Sequence, residues 1–341
     1  MLTSLPVSRP AAITGDRPTG PLHVGHLVGS LRSRVTLQES HHLTVLIADL
    51  QALTDHQDQP EVIKDHILEV MKDYLAVGLD PQKVTFVLQS AVPALAELFQ
   101  LLLNLVPQAV LERNPTVKVE LAQKGFKSGV PAGFVSYPVS QAADIIGLGS
   151  GLIPVGQDQL PMIELTQHLI DKLRHRQPGF SLPDALPHLT QTPRLPGVLG
   201  MDTKMSKSQG LVIGLDACHE HLRTMIQKMY TDPLHLRVSD PGSVEGNVVF
   251  AYLDAFDPNV ERVQAFKDQY QKGGLGDMVL KKHLLSCMEE EIAPIRDRRQ
   301  ALNGRKEELK DLLKEGTMRA AMAAQERLEE VRHILGVRRL F

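Results

Sequence analysis

"GDRPTGPLHVGHLVGSL", residues 15–31, is the stretch on which the reading of this chain turns. The run before it, "AAITG" (11–15), reads as a short strand ending in turn residues, and "LVGSLRSRVTLQES" (27–40) continues it with helical spacing. The stretch therefore follows a first strand and opens a first helix. In a parallel sheet that place is the carboxyl end of a strand, beside the crevice where ligands bind. Unpaired backbone N–H groups and the helix dipole favour anions there. His23 and His26 are three apart and are expected on one helix face. Gly25 between them leaves bare backbone against which a flat ring can press. Taken alone, the two histidines leave three readings open: phosphate contact, idle surface groups, or half of a metal site with no evident third ligand.

Working outward, "LTVLIADL" (43–50) is a near-continuous apolar run, the pattern of a strand buried on both faces. "PEVIKDHILEVMKDYLAVGLDP" (60–81) is an amphipathic helix with Pro60 near its start and Gly78 near its end, and "KVTFVLQS" (83–90) is a further strand. The order β-α-β-α-β predicts an α/β fold, a parallel sheet covered by helices. Helices are expected over 91–106, over much of 107–126, and over 138–149 and 158–176, with a strand at "LIPVG" (152–156). Pro178, Pro183, Pro187, Pro193 and Pro196 mark 177–200 as a loop-rich bridge. After about residue 215 the strands stop, and "ERVQAFKDQYQKGG", "DMVLKKHLLSCMEEEIAPIRDRRQAL" and "EGTMRAAMAAQERLEEVRHILG" read as helices. The shift predicts two domains, 1–215 and 216–341, the second all-helical.

Bulk properties narrow the classes. The 341 residues are 43% hydrophobic and 23% charged, an ordinary globular balance. No eighteen-residue apolar run exists to span a bilayer, and the N-terminal stretch lacks signal-peptide order, so a cytoplasmic protein is expected. Two cysteines exclude a disulfide framework and a four-cysteine zinc site. A net charge of −3 excludes a generally basic nucleic-acid coat, though residues 281–341 hold 14 Lys/Arg against 11 Asp/Glu. "CHEH" (218–221) is a weak metal candidate, because adjacent helical positions face different ways. "DHQD" (55–58) reads as a polar loop, and His41 and His42 as caps of the first helix.

A second signal follows the bridge. "MDTKMSKSQG" (201–210) places Lys204 and Lys207 three apart among small polar residues, a clamp for polyphosphate. "HVGH" followed at this distance by "KMSKS", around an α/β pattern, resembles the class I aminoacyl-tRNA synthetases. "SYPVSQAADI" (136–145), with Tyr137, Gln141 and Asp144 on one helix face, resembles the tyrosyl/tryptophanyl branch. "IPVGQDQLPMIELT" (153–166), "GDRPTG", "VVFAYLDAF", "YQKGGLGDMVLKKHL" and "IAPIRDRRQ" look like the tryptophanyl form. Three features depart from that pattern: the glycine-rich "IIGLGSGL" (145–152), Gln157 where the family often has Glu, and no asparagine after the lysine loop.

The resemblance implies a Rossmann-like catalytic domain, with a connective insertion at about 105–170 that forms a homodimer interface, and the lysine loop in the bridge at 177–210. It implies a helical anticodon-binding domain after residue 215. It also implies ATP with Mg²⁺ carried on it, L-tryptophan and tRNA(Trp) as substrates, and no membrane partner. His23, His26, Lys204 and Lys207 would be catalytic. Arg17, Gly25, Gly156, Asp158, Met205 and Ser206 would bind ATP. Tyr137, Gln141, Asp144 and Gln159 would bind tryptophan. Indole offers one N–H donor and no acceptor, which suits a buried carboxylate at Asp144. A phenol donates equally well, so a tyrosyl enzyme stays open. So do a small-molecule adenylyltransferase and a synthetase-like paralogue that binds without turnover.

Overall fold

The computed structural model describes residues 9–54, 56–124, 126, 129–149, 151–189, 195–201, 203 and 211–337. Strand β1 (Ala11–Asp16) leads to a helical run of three parts: α1 (Val24–His26), a π-helical turn (Leu27–Leu31) and α2 (Arg32–Leu37). Then come β2 (His42–Ile47), α3 (Asp49–Ala52), α4 (Glu61–Val77), β3 (Val84–Leu88) and α5 (Pro93–Leu103). Helices α6 (Gln108–Arg113), α7 (Pro115–Lys124) and α8 (Ala132–Gly147) precede β4 (Leu152–Val155), α9 (Leu160–Arg176) and β5 (Leu186–Leu189). The rest is helical: α10 (His219–Gln227), α11 (Val248–Phe256), α12 (Val260–Lys272), α13 (Asp277–Ala301) and α14 (Lys306–Leu335).

The strands form one sheet in the order β3-β2-β1-β4-β5, every pairing parallel. Period-two alternation divides their side chains between two cores. Ala12, Leu43, Val45, Ile47, Val84 and Phe86 enter the core that α4, α11 and α13 cover. Ile13, Leu46, Val87 and Ile153 enter the other, covered by α5, α8 and α9. The order reverses at β1, whose two neighbours are β2 and β4. This is the topological switch point of an open α/β sheet, where a cleft forms at the carboxyl ends of the strands.

The expected α/β order holds, with local corrections. Strand β5 lies inside the loop-rich bridge, where no strand was expected. It is an exposed edge strand, so Pro187 is tolerated, the ladder being open on its outer side. His42 begins β2, pairing with Ala11, and does not cap the preceding helix. His41 closes that helix with its backbone N–H, donated to the Leu37 carbonyl, while its ring meets Ser40. In "CHEH", Cys218 precedes α10, and His221 Nε2 meets the Val212 carbonyl at 3.0 Å, so the group holds a turn.

The C-terminal helices are packed into the sheet's own cores. Leu280, Leu284, Met288 and Ile292 of α13 join the cluster containing Val84 and Phe86. Ala324, Leu328 and Val331 of α14 join the opposite one. Among the described residues, no helix is long and apolar enough to cross a membrane.

Candidate active site

A cavity of about 540 Å³ opens at the switch point. Its walls are the end of β1 (Ile13–Asp16) with Arg17, the end of β4 with Gly156, and side chains from α8. Gly15 is needed for packing: a Cβ there would lie 2.4 Å from the Leu46 carbonyl oxygen of β2. Of the residues singled out in the sequence, Arg17, His26, Tyr137, Gln141, Asp144, Gly156, Asp158 and Gln159 all line this cavity. His23 and Gly25 adjoin it through His26 without lining it. Lys204, Met205, Ser206 and Lys207 lie outside the described residues.

The two histidines do not share a helix face, because His23 is the N-cap, in extended backbone, and only His26 is helical. They meet by reciprocal capping. Gly25 donates its N–H to His23 Nδ1 at 3.1 Å, and His23 donates its own N–H to His26 Nδ1 at 3.2 Å. The ring centroids are 4.0 Å apart. Since each Nδ1 accepts, each neutral ring carries its proton on Nε2 and donates from there. The cap thus fixes a tautomer suited to anionic oxygens.

The chain just beyond the expected lysine loop is tied to this same turn. Val24 donates its N–H to the Ile213 carbonyl at 3.0 Å, and His23 forms an antiparallel bridge with Gly214. Only six residues separate Lys207 from Gly214. The turn is also anchored from behind: Leu22 donates its N–H to Asp73 Oδ2 at 2.7 Å, and Arg299 donates to Asp73 Oδ1 at 2.6 Å.

Asp144 sits 4% exposed on α8. Gln51 donates to its Oδ2 at 2.9 Å, and Gln89 donates to both oxygens at 3.0 and 2.8 Å. Burial pushes its pKa up to about 8 against the lowering effect of Gln89. Sequence reasoning missed both glutamines, since Gln51 lies on the one-turn helix α3 after β2 and Gln89 on a 3-10 turn after β3, both far from Asp144 in the chain. Tyr137 Oη and Glu120 Oε2 are buried close to one another, with no further hydrogen-bond partner among the described residues. Burial and the nearby Glu120 carboxylate push the Tyr137 phenol well above its usual range. Beside them, Thr116 holds the Asp158 carbonyl at 2.6 Å, and Gln159 donates to Asp158 Oδ2 at 3.2 Å. Gly156 again makes room, as a Cβ would lie 2.7 Å from Asp158 Oδ1. Gln157 is exposed and does not line the cavity.

A second group missed from sequence underlies the floor. Arg34, 2% exposed, donates to Asp16 Oδ2 at 2.5 Å and Oδ1 at 3.2 Å, and Tyr74 donates to the same Oδ2 at 2.7 Å. Burial alone would raise the Asp16 carboxyl, but the Arg34 guanidinium overrides it and holds the pKa at about 2. Asp16 is therefore a committed anion. Among the described residues, the three-ligand grouping Asp257, His283 and Cys287 lies on α13 and after α11, and none of it lines the cavity.

The family model described as tRNA synthetases class I (W and Y) matches residues 7–292, and the chain belongs to that family of aminoacyl-tRNA ligases. Within it, the likeness over nearly the full length is to tryptophan–tRNA ligases. That of Streptococcus mutans is 47% identical over 338 residues, 97% of this chain and 99% of that protein. That of Lactococcus lactis is 46% identical over the same shares. The crystal structure of tryptophanyl-tRNA synthetase from Campylobacter jejuni, complexed with ADP and tryptophan, matches with a TM-score of 0.78 at 29% identity. That match covers 96% of this chain and 99% of the other.

Proposed function

We propose that the chain activates L-tryptophan with ATP and transfers it to tRNA(Trp). The single observation that carries the reading is the tether between Leu22–Val24 and Ile213–Leu215, which joins the chain after the lysine loop to the turn that caps the cavity-lining His26. It supports a site in which the histidine turn and the lysine loop serve one triphosphate.

The tryptophan carboxylate oxygen attacks the α-phosphorus of ATP, and the bond to pyrophosphate breaks in line. A ribose hydroxyl of the tRNA's terminal nucleotide then attacks the aminoacyl carbonyl and releases AMP. The protein forms no covalent bond; it positions the reactants and stabilises charge. His26 Nε2–H and His23 Nε2–H donate to phosphate oxygens, with Arg17 as a further contact and Gly25 giving adenine room. Lys204 and Lys207, with Met205 and Ser206 beside them, close on the pyrophosphate. Gly156 and Asp158 hold the ribose. The buried, neighbouring Tyr137 Oη and Glu120 Oε2 fit the substrate ammonium, with Gln159 lining the same cavity. Asp144 and Gln141 receive the indole. Asp16 is spent on Arg34, so the residues present fit Mg²⁺ carried on ATP better than Mg²⁺ caged by side chains. That ion, when bound, neutralises charge on the leaving pyrophosphate.

The protein works as a cytoplasmic homodimer joined through residues of about 105–170. Exposed Val110, Val119 and Val130 in that segment support a covered face. The helices after residue 215 read the anticodon. Exchange of labelled pyrophosphate into ATP tests the activation step: tryptophan drives it and tyrosine does not, and Lys207→Ala slows it while leaving tryptophan binding nearly intact. Exchange driven by tyrosine, or no turnover with either, overturns the reading.

A further inference from the structure

A second cavity, of about 990 Å³, shares no residue with the first. It lies between α4, the N-terminal half of α14 and the carboxyl end of β3. Leu88, Leu313, Ile67 and Leu68 supply an apolar wall, and Pro21 closes one side. A cavity of this size is at the upper end of small-molecule sites.

Charge is sorted around it. Lys306, Lys310 and Lys314 recur every four residues on α14, and all three line the cavity. Glu307, Glu308, Asp311 and Glu315 of the same helix do not. From α4 come Lys64 and Lys72, with Asp65 and Glu69 as the lining carboxylates. Lys72 is paired with Glu69, and Lys310 with Glu307. Lys64, Lys306 and Lys314 are exposed and have no ion-pair or hydrogen-bond partner among the described residues. Lys306 is the first residue of α14, the helix end where the dipole favours anions, so helix stability does not account for a cation there.

We propose that this cavity binds an amphipathic organic anion, its apolar body against Leu88 and Leu313 and its anionic head held by Lys64, Lys306 and Lys314. A bare phosphate backbone would meet the lysines and leave the apolar wall exposed, which favours a ligand with an apolar body. The place has a consequence, since Pro21 directly precedes Leu22, whose N–H Asp73 holds beneath the histidine turn. The inference stands independently of the aminoacylation reading.

The test uses the fluorescent probe anilinonaphthalene sulfonate on the full chain, with tryptophan and ADP saturating. The chain contains no Trp, so its own emission is weak. Saturable one-site enhancement is expected below about 1 mM probe. The double reversal Lys306→Glu/Lys314→Glu weakens it about tenfold or more, and so does Ala91→Phe, which fills the cavity from an exposed position. If the charge reversal disturbs folding, as read by circular dichroism, the Ala91→Phe result decides. No saturable enhancement with tryptophan and ADP present, or unchanged affinity in these variants, overturns the proposal. Release by unfractionated tRNA overturns it too, marking the lysines as a nucleic-acid surface.

Discussion

At the scale of single residues, the site is built from buried polar groups whose protonation is set by opposing forces. Asp144 is the sharpest case, because burial favours the neutral acid while two glutamine amides favour the anion, and burial prevails at about 8. The sign follows directly. A carboxyl raised when folded contributes stability that is full below its unfolded value of 3.8 and is lost as pH rises through about 8. Unliganded stability should therefore fall across that window. Tryptophan affinity should rise over about pH 6 to 8.5, as the better acceptor for an indole N–H forms. Equilibrium binding and denaturant titrations at several pH values check both trends; Asp144→Asn should flatten both and weaken tryptophan binding about ten- to a hundredfold. A pH-independent wild type would refute the assignment. Arg34 poses the complementary case. Arg34→Leu leaves Asp16 buried without its counter-charge and should cost about 3–5 kcal/mol by chemical denaturation. Neither Arg34 nor the glutamines stand out in the sequence, since an arginine in an amphipathic helix and a glutamine after a strand are ordinary until the fold brings them to a carboxylate.

At the scale of elements, what was legible is what local chemistry fixes. The apolar run of β2 gave a strand buried on both faces, and the spacing of Tyr137, Gln141 and Asp144 put all three on one cavity wall. The histidine pair was found, but its geometry was not: extended backbone at His23 makes it a cap, and periodicity says nothing about caps. Strand β5 was hidden because its pairing with β4 is a long-range matter and its own residues are exposed. Helix α14 carries a similar hidden constraint. Gly316 lies mid-helix, where glycine ordinarily costs about 1 kcal/mol against alanine. Here a Cβ would stand 2.2 Å from the Phe86 carbonyl oxygen of β3, and Thr317 beside it accepts the Leu88 N–H at 3.0 Å. The helix can approach the strand so closely only without a side chain. Gly316→Ala should thus reverse the usual gain and lose about 1–3 kcal/mol, read as a lowered Tm. A raised Tm would show that α14 is free to shift from β3.

At the scale of the whole molecule, composition divides the chain near residue 215, whereas packing runs across that point. Residues before it, such as Phe86 and Tyr74, and residues after it, such as Tyr252, Leu284 and Ile292, belong to one buried cluster. Ion pairs cross it as well: Arg299 of α13 meets the buried Asp73 and the half-buried Glu69 of α4, and Arg332 of α14 meets the half-buried Glu97 of α5. A helical unit with a core of its own could melt by itself; one that shares the sheet's cores exposes them when it leaves. Heat or urea should therefore unfold the ligand-free chain in one transition, with helix content and the environment of the buried tyrosines changing together. A fragment ending at residue 215 would lack the α13 and α14 side chains that cover β3 and α4, and should fail to fold as a cooperative unit. Circular dichroism and tyrosine fluorescence through the same titration decide the matter. Two separated midpoints, or a cooperative transition from the fragment, would mean that the helices after residue 215 and the sheet are stable apart, despite the apolar surface they bury together.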